Sequence, residues 1–269
     1  MARAILIGLC LLTSLTVSWA QVAVVRDIPY VDGSADPKHR LDIYIPAQAR
    51  SAPVLFWIHG GALTSGDRAD SDNPPVGQRF ASAGFATVVI SYRLSPGVSH
   101  PAHMQDTAKA FAWTLRNISK HGGNPEQMFV AGHSAGAYLA ALLAADPRYL
   151  EAEKLSPTRI RAVLPVSGFF HIDRVAPDRP KSVWGDEREL WLEASPSRYV
   201  RNSLPPILLV YADGDEPWRR QENTDYAREV RAAGRTRVEI KEVRNRDHMG
   251  ILYRMSDAND ETTLRCWTS

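Results

Sequence analysis

Short apolar runs rich in Val, Ile, Leu and aromatic residues recur along this chain of 269 residues, and what separates them has either helical periodicity or turn chemistry. APVLFWIHG at 52–60, FATVVISYR at 85–93, MFVAGH at 128–133, IRAVLPVSG at 160–168 and PPILLVYADGD at 205–215 are of strand length. They are too continuously apolar for a sheet face that meets water, so they read as strands buried on both faces. In PAHMQDTAKAFAWTLRNI, residues Ala108, Phe111, Ala112 and Leu115 fall at i, i+3, i+4 and i+7, with Asp106 and Lys109 off that stripe. This is the pattern of an amphipathic helix, and Pro101 suits its first turn. A further helix is expected from about Arg219 to Ala233, stopped by Gly234, with TRVEIKEV after it as a last strand. Strands that alternate with helices imply an α/β fold, a mostly parallel central sheet with helices on both faces.

Two segments stand apart from that alternation. VAVVRDIPYV and HRLDIYIPA alternate apolar and polar residues, which suits antiparallel edge strands with one face solvated. Residues 169–204 are polar, carry prolines and hold Trp184 and Trp191 outside any strand-like run. They form an excursion over the upper edge of the sheet, either a plain surface crossover or a cover for a substrate.

Residues 1–20, MARAILIGLCLLTSLTVSWA, place Arg3 before an apolar stretch and end in Ser18-Trp19-Ala20, the small-x-small form of a signal-peptidase site. They are expected to be a cleaved signal peptide, leaving 21–269 as one domain that is secreted or periplasmic, without stable membrane insertion. The competing anchor has a stretch short for a bilayer and interrupted by Thr13, Ser14 and Thr16. Cleavage would remove Cys10 and leave Cys266 alone, so stability must come from the core rather than an internal disulfide. Composition, 44% hydrophobic and 23% charged, is that of an ordinary globular protein. A net charge of +2 with scattered basic residues offers no track for a nucleic acid, and the eight histidines show no zinc spacing.

The chemistry gathers around Gly132-His133-Ser134-Ala135-Gly136, which follows an apolar strand and opens an Ala/Leu helix. A sharp strand-to-helix turn there would thrust Ser134 out above the sheet, and side chains at 132 and 136 would collide with neighbouring backbone. The helix start directs unpaired N–H groups at a developing oxyanion, which makes Ala135 N–H a candidate donor. The Gly-rich turn His59-Gly60-Gly61-Ala62, after an earlier strand, offers Gly61 and Ala62 as partners.

A serine hydroxyl needs a base, and His248, in the polar turn RNRDHMG after the last strand, is placed to supply it. Asp213, Asp215 and Glu216 compete for the acid just past PPILLVY. If that strand ends at Tyr211, Asp215 sits on the following turn and Asp213 serves as turn-former, the alternative being Asp213 itself. Asp247, adjacent to His248 in sequence, is a poor candidate, because neighbouring side chains diverge and the acid must meet the far ring nitrogen.

Ser134, Asp215 and His248, in that order behind an oxyanion loop, resemble the α/β-hydrolase superfamily over nearly all of the chain after residue 20. HGGALTSGD, SYRLSP, HPAHMQD, GHSAGAYLA and the SP of EASPSRY are similar to the esterase/lipase branch that holds carboxylesterases, acetyl and feruloyl esterases and arylformamidase-like hydrolases. GDEPWRRQ is similar to what arylformamidase-like members carry around their acid. Ala62 stands where hormone-sensitive-lipase-type esterases have a third glycine, and their long N-terminal cap is missing. The resemblance implies a serine carboxylesterase acting on small-molecule esters of short acyl or aryl type through an acyl-enzyme, with no cofactor or metal. Trp184 or Trp191 is expected to line its pocket. An arylformamidase-like amidase and a catalytically silent binding scaffold are the alternatives.

Overall fold

Every run read as a strand pairs into one eight-stranded sheet. The computed structural model describes residues 22–234, 237–257 and 260; the expected signal segment 1–20 and Cys266 lie outside the described residues. The strands are β1 (Ala23–Pro29), β2 (Arg40–Ile45), β3 (Ala52–Ile58), β4 (Ala86–Ile90), β5 (Gly123–His133), β6 (Ile160–Val166), β7 (Ile207–Gly214) and β8 (Val238–Asp247), in the order β1-β2-β4-β3-β5-β6-β7-β8. β2 pairs antiparallel with β1 and β4, and all other pairs are parallel. Helices cross between them: α1 (Asn73–Ser82), α2 (Ala102–Asn117), α3 (Ala135–Ala145), α4 (Pro147–Ala152), the short α5 (Ile172–Val175), α6 (Lys181–Trp184) and α7 (Arg188–Glu193), then α8 (Pro217–Ala232) and α9 (Gly250–Met255).

Alternation along the central strands sets the layers. Val54, Phe56 and Ile58 of β3 pack with Met104 and Phe111 of α2 and with Tyr138, Leu139 and Leu142 of α3. Leu55 and Trp57 point the other way, to Val76 and Phe80 of α1 and Ile251, Leu252 and Met255 of α9. Tyr226, Ala227 and Val230 of α8 meet Leu209 and the far side of α3 at Ala141 and Ala145. Every residue of α3 is buried, which is why its sequence is apolar all round rather than striped.

Strand order reverses at β3, which has β4 on one side and β5 on the other. Such a reversal leaves a crevice beyond the carboxyl ends of the strands, where ligands settle in sheets of this kind. Ile58 is in register with Gly132, so the glycine-rich turn after β3 and the serine after β5 emerge side by side at that rim.

The structure departs from the sequence reading in three places. β2 is not an edge strand with a wet face: it lies between β1 and β4, with Leu41, Ile43 and Tyr44 fully buried. Its Asp42 is buried too, accepting from Arg68 Nε at 3.0 Å and Asp27 N at 2.8 Å. Asp106, off the apolar stripe of α2, faces inward rather than to water. Arg93 grips it through Nε at 2.7 Å and Nη2 at 2.8 Å, and its own N–H adds a third bond at 3.1 Å, a fork that makes burial of the charge tolerable. The excursion 169–204 is no loose crossover, since Ile172, Val175, Val183, Trp184 and Ala194 belong to the main core.

α3 lies so close to β3 that a Cβ on Gly136 would run into the backbone oxygens of Ile58 and His59. Helix propensity alone favours Gly136→Ala by about 1 kcal/mol. Overpacking against a paired strand costs more, so this variant should lose about 2 kcal/mol of stability, read from the urea midpoint. A gain would show that the α3–β3 spacing is not set by this contact.

Candidate active site

Ser134 joins β5 to α3 with φ 55° and ψ −115°, a region that costs a residue with a side chain about 1–3 kcal/mol and persists only where the surroundings impose it. Here they do. Ser134 N donates to Val166 O at 2.9 Å and Tyr138 N to Ser134 O at 3.2 Å. A Cβ on Gly132 would meet the backbone of Gly136 and Ile58, so the glycines on either side let strand, turn and helix close on one another. The serine, 8% exposed, borders a cavity of about 520 Å³ that His248, Gly61 and Ala62 also line.

His248 follows β8, and its Nδ1 stands 2.7 Å from Asp215 Oδ1. A carboxylate only accepts, so Nδ1–H donates, which in the neutral ring leaves the lone pair on Nε2. The other Asp215 oxygen accepts from Ser167 Oγ at 2.6 Å and from Ala212 N at 3.0 Å. Burial by itself would raise the Asp215 carboxyl, but the bonds from His248, Ser167 and Ala212 outweigh it and hold the group below its usual range. Of the three candidate acids, the structure brings Asp215 to the imidazole. Asp213 instead accepts from Asn245 N at 3.0 Å and Arg246 N at 3.1 Å, tying β7 to β8. Glu216 turns to Arg219 at 3.3 Å, and Asp247 accepts from Gly250 N at the start of α9.

Several supports carry no signature in the sequence. Ser167, which holds Asp215, comes from the end of β6, far from both partners in the chain. His133 donates from Nε2 to the backbone oxygen of His248 at 2.8 Å, its ring 4.6 Å from that of His248. Burial, then the neighbouring His248, push His133 down to about 3, so it stays neutral and works as a strut under the histidine loop.

The turn after β3 passes through Gly61, Ala62 and Leu63 at φ 101°, 54° and 65°. Tyr92 fixes it from beneath, its hydroxyl donating to His59 O at 3.1 Å and its ring stacked on His59 at 4.4 Å. Lys38 Nζ ties the far side through Gly66 O at 2.7 Å and Asp67 at 2.8 Å. Ala62 holds a left-handed conformation that a glycine would adopt without strain. Ala135, the first residue of α3, has no intrahelical partner for its N–H.

Trp184 and Trp191 are not brought to this cavity, which corrects the expectation from sequence. Trp184 is 4% exposed and packs edge-on against Tyr138 and Phe169, and Trp191 Nε1 donates to Gly185 O at 3.1 Å. Apolar burial took both rings into the body of the excursion. The walls are Phe169, Met249 and Leu252, with Asn73, Arg179 and Arg219 among the polar residues. Asp215, Glu216 and His248 also place ligand atoms within 4.8 Å of one another, but a cation there would displace the proton that His248 shares with Asp215.

A doubly wound sheet with a serine on a strained turn and a carboxylate-held imidazole lining the same cavity is an α/β-hydrolase fold. Residues 41–226 match the BD-FAE family, and the chain belongs to it. Among curated proteins it is 31% identical over 244 residues to Esterase LipQ of Mycobacterium tuberculosis, covering 84% of this chain and 57% of that one. It is 25% identical over 242 residues to kynurenine formamidase of Danio rerio, covering 87% and 77%. A truncated carbohydrate esterase from gut microbiota superposes with a TM-score of 0.76 at 20% identity, covering 90% and 96%. The chain spans only about half the length of the first curated relatives it matches.

Buried histidines give the fold a pH dependence. Burial lowers His59, His100 and His103 to about 4 and His133 to about 3, against the 6.5 of an imidazole in water. Above that value these groups are neutral in both states. Below it the unfolded chain takes up protons that the folded one refuses, so stability falls as pH drops towards about 4. His171 opposes this: burial would lower it, but Glu222 and Glu229 at its two nitrogens raise it, and its contribution is full below 6.5 and lost as pH rises through the raised value. Four groups outweigh one. The melting temperature is expected to fall steadily from about pH 7 to pH 5, and a flat profile would contradict the neutral burial of these histidines.

Proposed function

We propose that this protein is a serine hydrolase of carboxylic esters with a short acyl or aryl group, working through an acyl-enzyme on Ser134. The observation that carries the reading is the 2.7 Å bond from His248 to the buried Asp215, with Ser134 across the same cavity. His248 Nε2 takes the Ser134 proton as Oγ attacks the ester carbonyl carbon. The N–H groups of Ala135 and of Gly61 or Ala62 receive the oxyanion. As the intermediate collapses, the imidazolium returns its proton to the departing oxygen. Water then attacks the acyl-enzyme, with His248 again as base. Asp215 keeps the ring in the required tautomer and stabilises its cation.

Names of the relatives support the same direction, an esterase among the curated proteins and a carbohydrate esterase among the solved structures. The protein is proposed to work outside the cytoplasm, secreted or periplasmic, a reading carried by the sequence of residues 1–20 alone. No described helix is long and apolar enough to cross a membrane. A second reading, an arylformamidase-like amidase using the same groups, is favoured by GDEPWRRQ and by the similarity to kynurenine formamidase.

Turnover of phenyl acetate and of an N-formyl aromatic amine, measured side by side, separates the two. The ester is expected to be the better substrate by kcat/KM, and a preference for the formamide would move the assignment to the amidase. Ser134→Ala should lower kcat by about a thousandfold or more while the melting curve stays cooperative. Activity within tenfold of wild type would remove Ser134 from the mechanism.

A further inference from the structure

A second cavity of about 520 Å³ opens beside the one that holds Ser134, and Arg179, Glu216 and Arg219 line both. The two guanidinium groups at this neck are in different states. Arg219 is buried and engaged: Nη1 donates to Ser167 O at 3.0 Å, and Nε lies 3.3 Å from Glu216 and 3.8 Å from Asp215. Arg179 is half-buried, and among the described residues no carboxylate or carbonyl pairs with its guanidinium. Arg174, on the far wall, is held by Glu222 at 3.1 Å and Asp225 at 2.8 Å. Asp178, also on the wall of the second cavity, is exposed, so solvent and salt screen its charge, and the half-buried Arg179 is the cation in the recess whose donors are left to draw an anion. Trp218 adds an apolar ring, 39% exposed, on the wall of the second cavity.

The opposite wall is acidic, with Asp70 and Asp72 lining the Ser134 cavity. Those carboxylates are already partnered, Asp70 by Asp67 N at 2.8 Å and Asp72 by Asn73 Nδ2 at 3.2 Å. Asp70 is exposed and Asp72 half-exposed, so solvent and salt screen them. Of the two corners, Arg179 is the one left with donors to offer.

We propose that the second cavity is a subsite for an anionic part of the substrate, a carboxylate on an aryl or short acyl group, received by Arg179 while the scissile carbonyl lies at Ser134. A planar guanidinium meets a carboxylate through two parallel N–H bonds, which gives direction as well as attraction. The proposal rests on the ester-hydrolase reading and names the class of ester it prefers.

The test compares kcat/KM for 4-acetoxybenzoate and phenyl acetate in wild type, Arg179→Gln and Arg179→Lys. In parallel, calorimetry follows 4-acetoxybenzoate binding to Ser134→Ala with and without Arg179→Gln. The anionic-to-neutral ratio is expected to fall about tenfold in Arg179→Gln, through KM, with part of it restored by lysine. Binding to Ser134→Ala should weaken by a similar factor. An unchanged ratio, or binding indifferent to Arg179, overturns the subsite. If wild type cleaves neither ester, the hydrolase reading fails, and calorimetry on the Ser134→Ala background still decides the subsite by itself.

Discussion

Backbone crowding between β3, β5 and the start of α3 is the constraint on which the rest of the molecule depends. Gly132 and Gly136 have no space for a side chain, because the backbone of Ile58 and of Gly136 itself occupies it. Close approach forces the turn at Ser134 into its positive φ, and that turn lifts the hydroxyl above the sheet. It also sets Ser134 beside the loop leaving β3, so Gly61, Ala62 and Ser134, from distant parts of the chain, line one cavity. Binding geometry and fold stability are thus the same contact, and the strain at Ser134 is balanced by the buried packing of α3.

Charge is managed by the same close packing. A carboxylate as buried as Asp215 costs several kcal/mol unless donors surround it, and Ser167, Ala212 and His248 supply them. His133 is kept neutral next to His248, so a single imidazolium can form at the rim without a second one beside it. Arg219 compensates Asp215 and Glu216 on the other flank. What is left over at the neck between the cavities is Arg179, whose guanidinium has no carboxylate partner among the described residues, while Asp178 beside it on the wall of the second cavity lies exposed to solvent.

The parallel strands were legible because burial on both faces demands unbroken apolar runs, and α2 and α8 because each carries a stripe or a glycine stop. α1 was not legible: Pro74, Pro75 and Gly77 mask its periodicity, and Gly77 is there because a side chain would strike the Tyr44 ring. Ser134, His248 and the turn at Gly61 could be picked out since each lies at a strand end with a local signature. Ser167, Phe169 and Arg179 could not, since they reach the site through tertiary packing alone. The two tryptophans misled for a related reason: a large aromatic in a polar segment signals burial, but sequence does not say whether against a ligand or against the protein. Here Tyr138 and Phe169 are the answer.

The most direct measurement is the rate at which a phosphonate ester modifies the protein, followed by intact mass and peptide mapping, in wild type and in Asp215→Asn. One equivalent should attach, on Ser134, and the substitution should slow attachment by about a thousandfold or more, because an asparagine favours the wrong tautomer of His248. Modification at another residue, or an Asp215→Asn protein that reacts as fast as wild type, would contradict the account.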